Sequence, residues 1–117
     1  MDMFDEEVVL CASSAYEKKF YLNENFEGLP QHVKDELKIM CVLFTEDVGG
    51  VLSLEFDENG NLELNTSADE GDLLYDEIGS VLRIKQIRKE KQDLLASLEM
   101  YYRVFFLGEE IEDGEEG

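Results

Sequence analysis

Apolar and polar residues alternate in two stretches of this chain and recur at helical spacing in two others. The clearest alternation puts Leu52, Leu54 and Phe56 against Ser53 and Glu55, then Leu62 and Leu64 against Glu63 and Asn65. Asp57-Glu58-Asn59-Gly60-Asn61 lies between, and Gly60 supplies the positive φ that a short bulged hairpin loop needs. The pattern predicts strands near residues 51–56 and 62–66, with the five apolar side chains facing helices and the other face polar. Residues 8–22 alternate less cleanly, through Val8, Leu10 and Ala12 and then Tyr16, Lys18, Phe20 and Leu22. They predict two strands joined by a tight turn at Ser13-Ser14, with a short helix over 3–12 as the competing reading.

Helical spacing begins after Gly28-Leu29-Pro30, because proline fits a first helical position. Val33, Leu37, Met40, Phe44 and Val48 recur every three or four residues, and Gly49-Gly50 ends the run. Ile39, Cys41, Val42 and Leu43 fill its sides, so the second half is apolar nearly all round and is predicted to be covered on several faces. A second helical pattern runs from Ser67 to Phe106. Ser67 and Glu70 resemble a capping box, followed by acids that suit the positive end of a helix dipole. Unbroken, it would span nearly 60 Å, longer than so small a domain, so it either projects or kinks, and Gly79-Ser80 is the candidate kink site.

The fold class predicted is α+β, in the order ββ-α-ββ-α: an antiparallel sheet of two hairpins, a central helix and a long C-terminal helix. Residues 1–107 make one domain. Residues 108–117, with six acids, no base and few apolar anchors, are predicted to be a disordered tail.

Composition then narrows the function. Apolar residues are 44% of the 117, enough for one core despite a net charge of −19. Residues 1–82 carry −16, residues 83–107 carry +3 and the tail −6. Such a surface repels phosphate backbones and anionic membranes, so neither nucleic acid nor membrane is an expected partner. No apolar run approaches the 18 or more residues of a bilayer span. The acidic N-terminus lacks the basic start of an export signal. With Cys11 and Cys41 in apolar runs, read as reduced core thiols, this points to the cytoplasm.

Candidate chemistry is sparse. Two cysteines and one histidine fall short of a zinc site. The loop from Asp57 fails the EF-hand pattern, with Leu62 at position six and Ala68 at position twelve. Carboxylates between Asp69 and Glu77 could hold a cation, but acidic first turns arise for dipole reasons alone. His32 has no nucleophile beside it in sequence, and there is no phosphate-binding glycine loop. No enzyme, metal or cofactor is expected.

What remains is a stripe: Ile84, Ile87, Lys91, Leu94, Leu98, Tyr101 and Phe105, three heptads of three-four spacing. A straight helix from 81 to 106 would be about 39 Å long and would overhang strands of about 20 Å. Ile84, Ile87, Leu94, Leu98 and Tyr101 are therefore the expected homodimer interface. The aromatics of Met100 to Phe106 are read as core packing on the hairpin, and the bases from Arg83 to Lys91 as a solvated or complementary face.

Ile39-Met40-Cys41-Val42-Leu43-Phe44-Thr45-Glu46-Asp47-Val48-Gly49-Gly50 and Ala68-Asp69-Glu70-Gly71-Asp72-Leu73-Leu74-Tyr75-Asp76-Glu77-Ile78-Gly79-Ser80 resemble an uncharacterised family of small acidic proteins from Gram-positive anaerobic bacteria. The resemblance implies a bacterial cytoplasmic protein and no assigned activity. The architecture also looks like that of secretion-chaperone-type dimers. The expected function is a non-catalytic protein-interaction module that self-associates. The alternatives are a chaperone-like binder of an unidentified protein partner, and an enzyme or metal-dependent protein using the Asp69–Glu77 carboxylates.

Overall fold

The computed structural model describes residues 7–110. Its elements follow the order β1 (Val8–Ser14), β2 (Lys19–Leu22), α1 (Gln31–Val48), β3 (Val51–Phe56), β4 (Leu62–Ser67), α2 (Glu77–Glu90) and α3 (Gln92–Phe105), with a 3₁₀ turn at Glu24–Phe26 before α1. All strand pairs are antiparallel in a single four-stranded sheet ordered β2-β1-β3-β4. The fold class is α+β as predicted, but the last predicted helix is two, so the order is ββαββαα.

The second hairpin forms as its alternation predicts. Leu52, Leu54, Phe56 and Leu62 are buried, and Leu64 packs half-buried against the same core. In its loop Asp57 Oδ1 accepts hydrogen bonds from the Asn59 and Asn61 amides. Gly60 has φ 86°. A Cβ there would also lie 2.6 Å from the Arg103 side chain, which lies across the loop.

The first hairpin turns later than expected. Ser13 and Ser14 stay in β1, paired with Phe20 and Lys19, and the turn is Ala15 to Lys18. Tyr16 and Lys18, read as strand residues, are therefore turn residues. The Ser14 hydroxyl accepts the Glu17 amide, and Lys18 has φ 54°. A register shift between Val9 and Cys11 breaks the alternation. Leu10 and Cys11 are both buried, and Ser13 replaces Ala12 on the inner face. Ser13 is accommodated there by a 2.9 Å hydrogen bond to the Thr45 hydroxyl, because a buried polar group needs a partner. The competing helix reading fails over residues 8–12, which are strand, and its start lies outside the described residues.

Helix α1 begins one residue after Pro30 and is closed by Gly49 at φ 87°. It crosses the inner face of the sheet and buries Leu37, Met40, Cys41, Phe44 and Val48. Cys11 and Cys41 are free and buried, their sulfurs 3.9 Å apart.

The predicted helix start at Ser67 is incorrect. Ser67 pairs with Val51 in β4, and residues 68–76 form a loop with Gly71 at φ 83°. The cap of α2 is Asp76, whose carboxylate accepts the Gly79 amide. Gly79-Ser80 therefore sits in a first turn, and no kink occurs there. The break falls at Lys91, with φ −112° and ψ 24°. There the Lys91 ammonium donates to Glu36 of α1 at 3.0 Å. Beyond it, Leu95, Leu98 and Tyr102 turn onto the core. Both halves hold the start of β4: Arg88 donates to the Leu62 carbonyl, and Glu99 accepts the Leu62 amide.

The core closes with stacked aromatics. Phe26, delivered by the 3₁₀ turn under an Asn23 cap, stacks on Phe56, Tyr102 and Phe106. Its centroid distances to them are 5.8, 6.4 and 4.8 Å. Phe56 and Tyr102 stack at 4.1 Å. Of the Met100–Phe106 group read as core, Tyr102 is buried and Tyr101 partly covered, but Phe105 is 70% and Met100 56% exposed, because the helix turns them away from the sheet; Phe26 was not anticipated. Gly108–Glu110 are irregular, and the rest of the expected tail lies outside the described residues.

Phe26 is fully buried and joins turn, sheet and α3. Phe26→Ala should cost about 3–5 kcal/mol, a large share of the stability of a domain this size. Urea unfolding followed by circular dichroism measures it, and a loss below about 1 kcal/mol would refute this account of the core.

Candidate functional site

A groove runs between α1 and the α2–α3 pair. It has two adjoining hollows, of about 460 and 490 Å³. Ile39, Met40, Leu43, Arg83 and Ile87 are among the walls of the first; Leu29, Val33, Leu94, Leu98 and Tyr101 line the second. His32, Glu36, Glu90 and Lys91 belong to both, and the Lys91–Glu36 ion pair straps the groove at their junction. Arg83 Nε, shielded from solvent, lies 3.4 Å from Asp47 Oδ2 as an ion pair without a hydrogen bond.

The structure brings four of the five expected interface residues to this groove: Ile87, Leu94, Leu98 and Tyr101. Their availability differs. Ile87 is 6% and Leu98 2% exposed, because the chain's own core already covers them. Ile84, Leu94 and Tyr101 pack half-buried against that core. The overhang argument does not hold, since the break at Lys91 leaves two helices of 14 residues each. Each is about 21 Å long, close to the length of the strands.

The open apolar surface lies elsewhere. Ile39 and Leu43, one turn apart on α1, are 59% and 51% exposed. The prediction that this half of α1 would be covered on several faces fails within the chain. Periodicity marked these residues as apolar but gave no sign of what lies above them. Ile78, Val81 and Leu82 on α2 are also exposed.

The other candidate groups are held in local structure. Asp72 accepts hydrogen bonds from the Tyr16 hydroxyl, at 2.5 Å, and from the Leu74 amide. The first of these holds the Asp72 carboxyl below its ordinary range and pushes the Tyr16 hydroxyl up. Of the Asp69–Glu77 carboxylates, Asp72 thus braces the loop and Asp76 caps α2. At the Asp57 loop Arg103 donates to the Asn59 carbonyl and to Asn61 Oδ1, so a guanidinium already supplies positive charge there. Among the described residues no group of three or more His, Cys, Asp or Glu side chains is placed to hold a metal ion. His32 is exposed. The Cys11 thiol is pushed well up by its hydrogen bond to Cys41 and by burial, which makes it a poor nucleophile. No described helix is long and apolar enough to cross a membrane.

A model of a family of unknown function, DUF6145, matches residues 7–110. The chain belongs to that family. Comparison with curated proteins and with solved structures finds no match.

On the outer face of the sheet Glu7, Glu55 and Glu63 come together. A hydrogen bond shared with Glu55, with desolvation and the Glu63 charge behind it, raises the Glu7 carboxyl to about 7. The folded chain therefore holds this proton more tightly than the unfolded chain, whose value is near 4.5. The contribution to stability is full below pH about 4.5 and is lost as pH rises through about 7. Carboxyl-carbon NMR should show Glu7 titrating near neutrality, and Glu55→Gln should return it toward the ordinary range. A Glu7 midpoint near 4.5 in the unaltered chain would contradict the cluster.

Proposed function

We propose that this chain is a non-catalytic protein-interaction module of the bacterial cytoplasm that pairs with a second copy through its helical layer. One observation carries the reading. Ile39 and Leu43 are bare on the apolar second half of α1, beside a groove walled by Leu94 and Tyr101. Contiguous exposed apolar surface of this kind marks interaction sites. A second copy is the proposed occupant because two-fold pairs are the commonest assemblies and because the charges complement. Among the described residues Lys85 and Lys89 of α2 are exposed and form no ion pair. The groove rim on α1 carries Asp35 and Glu36. Lys85 and Lys89 line neither hollow, so the proposed pairing extends past the groove rim to bring them toward the acidic α1 of the partner. Ile84, Leu94 and Tyr101 contribute their half-buried edges, while Ile87 and Leu98 support them from below. Two reduced, buried thiols suit a cytoplasmic setting.

Sedimentation equilibrium at micromolar concentration should give twice the 13.4 kDa chain mass. Ile39→Glu and Leu43→Glu, both at exposed positions, should each weaken the dimer by roughly 30-fold, as a hot spot of about 2 kcal/mol requires. The circular-dichroism spectrum should be unchanged. A clean monomer refutes self-association and leaves the groove to an amphipathic helix of a different protein, the chaperone-like reading. A dimer indifferent to both substitutions moves the interface off α1.

A further inference from the structure

On the other side of α1, away from the groove, a second cavity of about 710 Å³ opens between its C-terminal half and the β1–β2 hairpin. Its apolar lining comes from Phe20, Val42, Val48 and Leu74. The hydrogen-bonded hydroxyls of Ser13 and Thr45 belong to the same wall. Three lysines, Lys18, Lys19 and Lys38, also line it. They come from the turn, from the edge strand β2 and from α1, so the fold assembles them from separate parts of the sequence.

In a chain of net charge −19 that gathering is unusual. The described residues form three ion pairs, through Lys34, Arg83 and Lys91. None involves Lys18, Lys19 or Lys38, although 29 acids are present in the chain. Two carboxylates share the wall, Glu46 and Asp47, and Asp47 is already paired with Arg83. The local balance is therefore positive, against the field of the whole molecule. The volume falls in the range of small-molecule sites, which combine an apolar lining with a few convergent polar groups.

We propose that this cavity binds a small amphiphilic anion: a carboxylate or phosphate head held by Lys18, Lys19 and Lys38, with an apolar body on Phe20, Val42 and Leu74. The head group exchanges some water for charge-assisted hydrogen bonds from ammonium groups. The body covers Leu74, which the chain leaves 91% exposed. Head and body together exclude inorganic anions, which leave the lining uncovered, and neutral amphiphiles, which leave the lysines unpaired.

Isothermal titration calorimetry with sodium octanoate, octyl phosphate and octyl glucoside tests this. Both anions should bind saturably at one per chain, more weakly as sodium chloride is added, and octyl glucoside should give no saturable heat. The tighter of the two anions identifies the head group. The triple variant Lys18→Ala, Lys19→Ala, Lys38→Ala should weaken both by about tenfold or more, three exposed charge contacts of a few-fold each. Leu74→Ser should weaken both without altering their order. All four positions are exposed, so melting temperature and circular dichroism should be unchanged. Octyl glucoside binding as well as the anions, or a triple variant indistinguishable from the natural chain, overturns the proposal.

Discussion

A four-stranded sheet with one apolar face must be covered, and the rest of this structure answers that constraint. The face is built by Leu10, Cys11, Leu52, Leu54, Phe56 and Leu62, none more than 2% exposed. At roughly 25 cal/mol per Å² of apolar surface, leaving it bare would outweigh any local preference of the chain. Helix α1 covers the middle, and the C-terminal segment must cover the β4 side. A straight helix would run past strands of about 20 Å. Two helices of 14 residues, broken at Lys91, instead reach Leu62 from both sides through Arg88 and Glu99. The break also places Lys91 against Glu36, so the bend is tied to α1 at the point where the groove is strapped.

The same constraint explains which parts of the fold were legible. Residues 51–66 carry alternation and a glycine that nothing else in the chain contests, and their strands form at the predicted positions. Ser67 to Asp76 is different. Ser67 and Glu70 have the spacing of a helix cap, but Ser67 is also in register with Val51, and the sheet ladder wins. Gly71 at φ 83° then turns the chain away from a helix, and the Asp76 carboxylate supplies the cap nine residues later. Both signals were local and reasonable; tertiary pairing decided between them. Gly79-Ser80 failed as a kink for a related reason. A glycine-serine pair permits bending, whereas the bend occurs where an ion pair and the sheet require it.

Phe26 and Ser13 show what alternation cannot express. Phe26 lies in a run of polar and small residues with no period, and only the Asn23-capped 3₁₀ turn aims it into the core. Ser13 is polar on an inward position because a bulge between Val9 and Cys11 shifts the register by one. Its cost is offset by the Thr45 hydroxyl, 32 residues away in sequence. The surfaces follow the same rule. The sequence names Ile39 and Leu43 as apolar and Lys18, Lys19 and Lys38 as basic. Whether a side chain is covered or paired depends on what the fold sets beside it, which no spacing records.

Charge gives the two faces of α1 different characters. With 29 acids and 10 bases, the chain's mean field repels anions and other copies of itself alike. A favourable contact then depends on local departures from that mean. The inner core fixes α1 by Leu37, Met40, Phe44 and Val48, so its remaining faces are held rigidly toward solvent. One presents Ile39 and Leu43 beside the Arg83–Lys91 bases of α2; the other presents Val42 and Lys38 beside the two lysines of the first hairpin. On the first the bases lining the groove are already paired, Arg83 with Asp47 and Lys91 with Glu36; only the second joins uncovered apolar area to positive charge in excess. Apolar area supplies attraction without direction, and the local charge selects which acidic partner may approach. Helix α1 separates the two surfaces, so in the proposed reading a partner on one leaves the other open.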